Sequence, residues 1–227
     1  MLKKEAREIT GGLSKPSKMP GPAHNLPAWK CLTGAKLAKV PGSVCAGCYA
    51  LKGRYRFSNV REALDRRLAS LQHPEWVDAM VTLIGKQPYF RWHDSGDLQS
   101  AWHLKQIFEV CVRTPGTRHW LPTREVKFLK LVDPEAVPGN LTIRISSHMI
   151  DQPPVKFWPW TSTVTSGSSR TCPAPDQGNQ CGSSQREVAR TGGPSGDRNG
   201  GRHAADSCGG GWNQNVLAGL RDIGAAQ

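Results

Sequence analysis

Three cysteines with the spacing C-x13-C-x2-C constrain this chain more than any other feature. They are Cys31, Cys45 and Cys48, and Cys48 is followed directly by Tyr49. Two thiolates separated by two residues can turn the backbone around one metal centre, and a third thiolate from an earlier loop completes a three-sulfur face. A structural zinc ion usually takes four protein ligands, whereas three cysteines can hold a four-iron cluster whose remaining iron stays open for a ligand. We therefore expect a 4Fe-4S cluster at these cysteines, with zinc as the alternative.

The rest of the sequence favours a reducing compartment for these thiols. The 227 residues contain no apolar run long enough to span a bilayer. The first eight residues are mostly charged and lack the apolar segment of a secretion signal. We therefore expect a cytoplasmic protein, in which metal binding explains a CxxC pair better than a disulfide does.

The positive charge is concentrated in the first quarter of the chain. Residues 1–56 contribute +9 of the net charge of +12. Three interpretations remain open for this excess. It is a footprint for nucleic acid, an offset for an anionic thiolate cluster or a small anionic ligand, or a solvated basic arm without a partner.

Composition divides the chain into three parts. Residues 1–30 read as a basic, Pro-rich arm, because the three prolines within 14–22 suit neither a helix interior nor a central strand. Residues 31–181 are expected to form a metal-binding α/β domain. Residues 182–227 contain eleven glycines and no lysine, and we expect this tail to be disordered.

Short strands alternate with helices through the middle of the chain. Apolar spacing predicts helices that begin at Asn59, Pro74 and Leu98 and a fourth over residues 124–132. It predicts strands at 88–93, 118–123, 141–146 and 161–165. This order is typical of a parallel sheet built from βα units, so we expect part of a (βα) barrel. A first strand would have to precede Cys31, where no strand pattern is visible. Cys111 shares a helix face with apolar residues and is predicted to be a core residue.

Each predicted strand ends in polar residues, and ligands bind beyond the carboxyl ends of strands in parallel sheets. These ends are His93–Asp97, Thr123–Arg124, Ser146–His148 and Thr165–Ser166. We expect them to face one site, although turns are polar in any case.

Four of these residues are the leading candidates: Asp94, Gly96, Asp97 and Arg124. Gly96 suggests close approach of the backbone to a ligand. The two carboxylates would alternatively serve as general acid and base or as ligands of a hard metal ion.

Four motifs occur in order along the chain: Lys18–Pro22, Cys31–Gly34, Val44–Gly53 and Phe90–Asp97. They resemble the phage gene product 88 family of actinobacterial phages and prophages, over roughly residues 12–181. The resemblance implies a phage or prophage protein in the cytosol of the host cell, and it implies no particular reaction.

A more distant likeness is to radical S-adenosylmethionine proteins, although the cysteine spacing here is wider than theirs. It implies that Cys31, Cys45 and Cys48 ligate the iron. It also implies that S-adenosylmethionine is held by Ser95, Gly96 and Asp97 at its methionine end, with Arg124 pairing its carboxylate.

A second cysteine module begins at Cys172 and Cys181 and lacks the further cysteines that would complete it. These two residues are candidates for a second, incomplete metal site.

Two functions follow from the sequence. The first is a phage-type iron–sulfur protein, of radical S-adenosylmethionine-like type, acting on an unknown substrate. The alternative is a nucleic-acid-binding protein that zinc or a cluster stabilises and that has no catalytic activity.

Overall fold

A computed structural model of the chain describes residues 1–16, 21–130 and 132–166. Five strands form one sheet in the order β1-β2-β3-β4-β5, and every neighbouring pair is parallel. The strands are β1 Ala23–His24, β2 Tyr89–Trp92, β3 Arg118–Thr123, β4 Leu141–Ser146 and β5 Thr161–Ser162. The prediction of a parallel α/β fold is confirmed. The sheet stays open, so it does not form a closed barrel.

The α-helices precede and connect the first three strands. They are α1 Lys3–Thr10, α2 Gly34–Leu37, α3 Ser58–Ser70, α4 Trp76–Ile84 and α5 Ala101–Arg113. The core lies between the sheet and the inner faces of α4 and α5, where Trp76, Met80, Ile107 and Phe108 are almost fully buried. Cys111 belongs to the same core and is fully buried, as predicted. None of the helices in the described residues is long and apolar enough to cross a membrane.

The two faces of the sheet differ in burial. In β4, Leu141, Ile143 and Ile145 are buried, whereas the residues between them are only half-buried. β3 alternates in the same way. Successive side chains of a strand point to opposite faces, so one face packs on the helices and the other is partly open. The open face leaves room for a cavity.

The first strand lies where the sequence shows no strand pattern. Ala23 pairs with Arg91 and His24 with Trp92, which places β1 at the edge of the sheet beside β2. Residues 23–28 are all buried. This part of the predicted arm therefore packs into the core, and its two-residue strand is too short to produce an alternating pattern. The predicted boundary at residue 181 lies outside the described residues.

The helix predicted over residues 124–132 is also wrong. The described residues there contain only a short 310 helix, Val126–Phe128. Glu125 has a φ of −82° and a ψ of 61°, outside the helical region, so no regular helix starts at Arg124. The N–H groups of Arg124 and Glu125 donate instead to the side chains of Asp97 and Thr123.

Three helices begin at residues other than those predicted. α4 begins at Trp76, two residues after Pro74. α3 begins one residue before Asn59, whose side chain instead accepts from the N–H of Val60. α5 begins at Ala101, because the Ser100 side chain accepts from the N–H of His103 and caps the helix.

Candidate functional site

A cavity of about 310 Å³ lies at the carboxyl ends of β2 and β3, on the partly open face of the sheet. All seven residues predicted for the first site line it, although they come from three separate stretches of sequence. They are Cys31, Cys45, Cys48, Ser95, Gly96, Asp97 and Arg124. The structure thus brings together the cysteines and the polar strand ends that the sequence analysis treated separately.

Gly34 has no side chain, and this leaves space beside two of the cysteines that line the cavity. A Cβ atom on Gly34 would lie 3.6 Å from the Sγ atoms of both Cys31 and Cys45, and 3.1 Å from the Cβ of Cys31. The two sulfurs therefore lie within twice 3.6 Å of each other, and any side chain at position 34 would contact both. Cys45 is buried, and Cys31 and Cys48 are half-buried.

A metal centre is not shown by this arrangement. Within residues 1–16, 21–130 and 132–166, no three His, Cys, Asp or Glu side chains are placed so that they could hold a metal ion. The four cysteines described there are all free of disulfides. Cys172 and Cys181, the predicted second site, lie outside the described residues.

The electrostatics of the cavity oppose free thiolates. Burial raises the pKa of Cys31 far above its usual value, and the charges of Asp97, Cys48 and Glu125 raise it further. Burial also raises the pKa of Cys45, against the opposing effect of Arg124. Thiolates at this site would therefore need additional positive charge, which a bound metal centre supplies.

Glu125 holds the cysteine segment against the end of β3. Its carboxylate is fully buried and accepts from the Thr33 N–H at 2.6 Å and from the Thr33 hydroxyl at 2.7 Å. Thr33 lies two residues after Cys31, so this pair fixes the position of the first cysteine. Glu125 is not among the residues predicted from the sequence, in which its signal is its place directly after the polar strand end at Thr123 and Arg124.

Asp97 joins the ends of β2 and β3. Its carboxylate accepts from the Thr123 hydroxyl at 2.6 Å and from the N–H groups of Arg124 and Leu98 at 2.8 Å each. Burial raises the pKa of Asp97 to about 6, although these three hydrogen bonds act in the opposite direction. Most of the hydrogen-bonding capacity of this carboxylate is therefore used within the protein.

Gly96 is required by the chain itself. It has a φ of 79°, and a Cβ atom there would lie 2.6 Å from the carbonyl oxygen of Leu26. The Ser95 hydroxyl donates to the same carbonyl at 2.9 Å. The backbone of Gly96 therefore packs closely against Leu26, and Gly96 also lines the cavity, so its approach to a ligand stays a prediction.

Asp94 fixes the loop that follows the cysteines. The hydroxyl of Tyr55 donates to its carboxylate at 3.0 Å, and the hydroxyl of Tyr49 donates to its main-chain carbonyl. Arg91 forms an ion pair with Asp94 at 3.2 Å. Asp94 is thus engaged by three side chains, and its observed role is to attach this loop to the end of β2.

Arg124 differs from the other strand-end residues in the cavity. Its Nε atom is buried and has no hydrogen-bond partner among the described residues. Its guanidinium charge favours the thiolate form of Cys45. Arg124 is therefore the predicted cofactor-binding residue whose side chain is best suited to an anionic group in the cavity.

Three buried histidines lie beneath the strand ends, and the sequence analysis did not group them. Burial lowers the pKa of His24 and His103 to about 3 and the pKa of His93 well below its usual value. The ring centroids of His93 and His103 are 5.3 Å apart. His93 has a φ of 60°, which is uncommon for a residue other than glycine, and neither of its ring nitrogens has a partner in the described part of the chain.

The last two predicted strand ends meet the cavity only in part. Ser146 lines it, and the ring of His148 contacts the carbonyl of Arg124 at 3.0 Å. β5 ends at Ser162, and Ser166 instead donates to the carboxylate of Asp151.

Comparison with known proteins adds one finding. A family model described as gene product 88 matches residues 1–164, a range that includes every residue of the cavity. No curated protein and no solved structure matches the chain. The comparisons therefore give no support to the likeness to radical S-adenosylmethionine proteins.

Proposed function

The chain belongs to the gene product 88 family of phage proteins, and we propose that its cavity is an iron–sulfur site in the cytosol of the host cell. In this proposal Cys31, Cys45 and Cys48 hold a 4Fe-4S cluster and leave one iron open. The observation that carries it is the placement of Cys31 and the Cys45–Cys48 pair around one cavity of about 310 Å³ that the strand-end residues also line.

The donor set fits a cluster. A four-iron cluster extends over several ångströms, so its three thiolates need not converge on a single point as the ligands of one zinc ion must. Gly34 leaves open the space next to the sulfurs of Cys31 and Cys45. Arg124 supplies a positive charge beside the cysteines. When bound, a cluster of this kind would supply electron transfer and an open coordination site on iron.

S-adenosylmethionine is the proposed ligand of the open iron. Arg124 would pair with its carboxylate, because the Nε atom of this residue has no partner within the described ranges. Ser95, Gly96 and Asp97 would form the wall at its methionine end. Ser95 and Asp97 already have partners within the protein, so their part in the proposal is to shape the wall and to position Arg124.

A second candidate is a nucleic-acid-binding protein in which zinc or the cluster only stabilises the fold. The charge pattern favours it, since residues 9–61 contain nine Lys or Arg and no Asp or Glu.

The first test is the absorption spectrum of protein that is purified and reconstituted without oxygen. The proposal predicts a broad sulfur-to-iron band near ~400 nm. Replacing Cys31, Cys45 or Cys48 singly by serine should remove the band. Cys111→Ala is the matched control, because Cys111 is buried in the core away from the cavity lining. A colourless wild-type protein with one zinc ion would contradict the cluster and favour the second candidate.

S-adenosylmethionine binding is measured next, by equilibrium dialysis on the cluster-loaded protein. Arg124→Gln should weaken binding by about tenfold or more, because an ion-paired hydrogen bond contributes about 1.5–3 kcal/mol. Equal binding by the wild type, by Arg124→Gln and by the cluster-free Cys45→Ser variant would contradict this assignment.

A further inference from the structure

A basic and aromatic surface adjoins the cavity. It comprises two 310 helices, Tyr49–Leu51 and Gly53–Arg56, and the start of α3. We call this surface the rim and define it by its exposed residues Tyr49, Lys52, Arg54, Arg56, Phe57 and Arg61. The rim directly follows Cys48, and Tyr49 and Leu51 also line the cavity.

Two aromatic side chains of the rim are exposed. Tyr49 is 57 % exposed and Phe57 is 60 % exposed, whereas most large apolar side chains of this protein are buried. Beside them the Arg61 guanidinium lies 4.5 Å from the ring centroid of Trp29. Aromatic rings interleaved with cations fit a partner that is both anionic and planar.

The segment of the rim is rich in basic residues. Residues 49–61 contain four Lys or Arg and no Asp or Glu, and Glu62 follows directly after Arg61. Asp94, which accepts from the hydroxyl of Tyr49, is already paired with Arg91 at 3.2 Å. The rim therefore presents a net positive charge to a polyanion.

Internal contacts hold the rim in place. The Tyr55 hydroxyl donates to Asp94, and the rings of Tyr49 and Tyr55 meet edge to face with centroids 5.9 Å apart. A surface fixed in this way loses little conformational entropy when it binds a ligand.

We propose that the rim binds single-stranded nucleic acid. The rings of Tyr49 and Phe57 stack on unpaired bases, and Lys52, Arg54 and Arg56 contact phosphates. Paired bases in a duplex do not offer their faces to such rings, so a single strand fits this surface better. The inference rests on the second candidate function and deepens it.

The test is fluorescence anisotropy with a fluorescein-labelled single-stranded RNA of mixed sequence. The full chain, loaded with iron, is titrated at 50 and 200 mM salt, where phosphate contacts weaken steeply as salt rises. Arg54→Gln/Arg56→Gln should weaken binding by about tenfold and reduce the salt dependence. The control Lys86→Gln/Arg118→Gln removes the same charge at the amino ends of β2 and β3, which lie at the end of the sheet opposite the cavity. It should change binding by less than about twofold.

Phe57→Leu tests stacking separately from charge. Leucine keeps an apolar side chain but has no ring face, so affinity should fall by about fivefold or more while the salt dependence stays unchanged. An RNA duplex of the same length should compete poorly.

Several results would overturn the inference. These are absence of binding at the lower salt concentration, equal loss in both double variants, and equal competition by the duplex. Binding to phosphatidylglycerol vesicles in place of RNA would also overturn it, since the partner would then be a membrane. Iron is counted on the same samples. If the protein binds RNA but holds no iron, the inference about the rim is supported and the proposed cluster is contradicted. If it holds iron but does not bind RNA, the cluster is supported and the inference about the rim is contradicted.

Discussion

The two sides of the cavity are built differently. On the strand-end side, Ser95 and Asp97 donate or accept hydrogen bonds within the protein. On the cysteine side, Cys31, Cys45 and Cys48 line the cavity together with Arg124, whose buried Nε atom has no partner among the described residues. The comparison shows that the polar atoms of Ser95 and Asp97 are already bonded within the protein, whereas the Arg124 Nε atom is not. The proposal therefore treats the strand ends as a scaffold and assigns the ligand chemistry to the cysteines and Arg124.

The largest expected effect on stability comes from removing the carboxylate of Asp97 on the strand-end side of the cavity. Asp97→Ala leaves three donors without their acceptor, two of them backbone N–H groups, so the free energy of unfolding should fall by about 4 kcal/mol. Chemical denaturation of the wild type, Asp97→Ala and Asp97→Asn measures this, with asparagine as the variant that keeps one acceptor oxygen. If Asp97→Ala left the free energy of unfolding unchanged and removed ligand binding, Asp97 would be a ligand contact and not part of the scaffold.

Lowering the pH tests whether the buried histidines behind the strand-end side of the cavity are neutral in the folded protein. His24 and His103 have their pKa lowered to about 3 when folded, so below about pH 6.5 the unfolded chain binds more protons and stability falls as the pH falls. Asp97 acts in the opposite direction, because its pKa is raised to about 6 and the folded state takes up its proton first. The two histidines outweigh the one carboxyl group.

His93 and His119, whose pKa values burial also lowers, act in the same direction as His24 and His103. We therefore expect the free energy of unfolding to fall by at least about 3 kcal/mol between pH 8 and pH 5. Urea denaturation across this range measures it, and His103→Gln should flatten the profile. A profile for the wild type that is flat, or that rises toward acid, would show that these histidines are not held neutral.

Loss of the link between the two sides should have a smaller effect. Glu125→Gln replaces a carboxylate that accepts two hydrogen bonds from Thr33, and it should cost about 2 kcal/mol of unfolding free energy. A double-mutant cycle with Thr33→Val isolates the pair. Additive losses would mean that Glu125 does not hold the cysteine segment through Thr33.

The smallest expected effect on stability comes from a substitution that tests whether the cysteine side of the cavity holds the cluster. Gly34→Ala should change the free energy of unfolding by about 1 kcal/mol or less, because alanine suits the start of α2 but its Cβ would contact Cys31. The same Cβ would lie 3.6 Å from two sulfurs, so iron content after reconstitution should fall more than stability does. Gly47→Ala, at a position with no heavy atom near the added Cβ, is the control.

The sequence predicts those parts of the fold and site that depend on local patterns. β3 and β4 alternate over six residues each, and the structure places them at the predicted residues. The cysteine spacing and the polar strand ends also identify residues that meet in one cavity.

Features that depend on distant partners could not be predicted in this way. β1 has two residues and exists because it pairs with β2. Glu125 and Thr33 are 92 positions apart, and neither has a local motif that indicates the other. The predicted helix after Thr123 does not form, because Glu125 has a ψ of 61° and the N–H of Arg124 donates to Asp97, which lies 27 positions earlier in the sequence.

The most direct test of the central claim is the amount of iron and acid-labile sulfide per chain after reconstitution without oxygen. The account predicts about four of each in the wild type and in Cys172→Ser/Cys181→Ser, and almost none in Cys31→Ser/Cys45→Ser/Cys48→Ser. Equal iron in the wild type and in the triple variant, or loss of iron only in the Cys172 and Cys181 double variant, would contradict the assignment of the cavity as the cluster site.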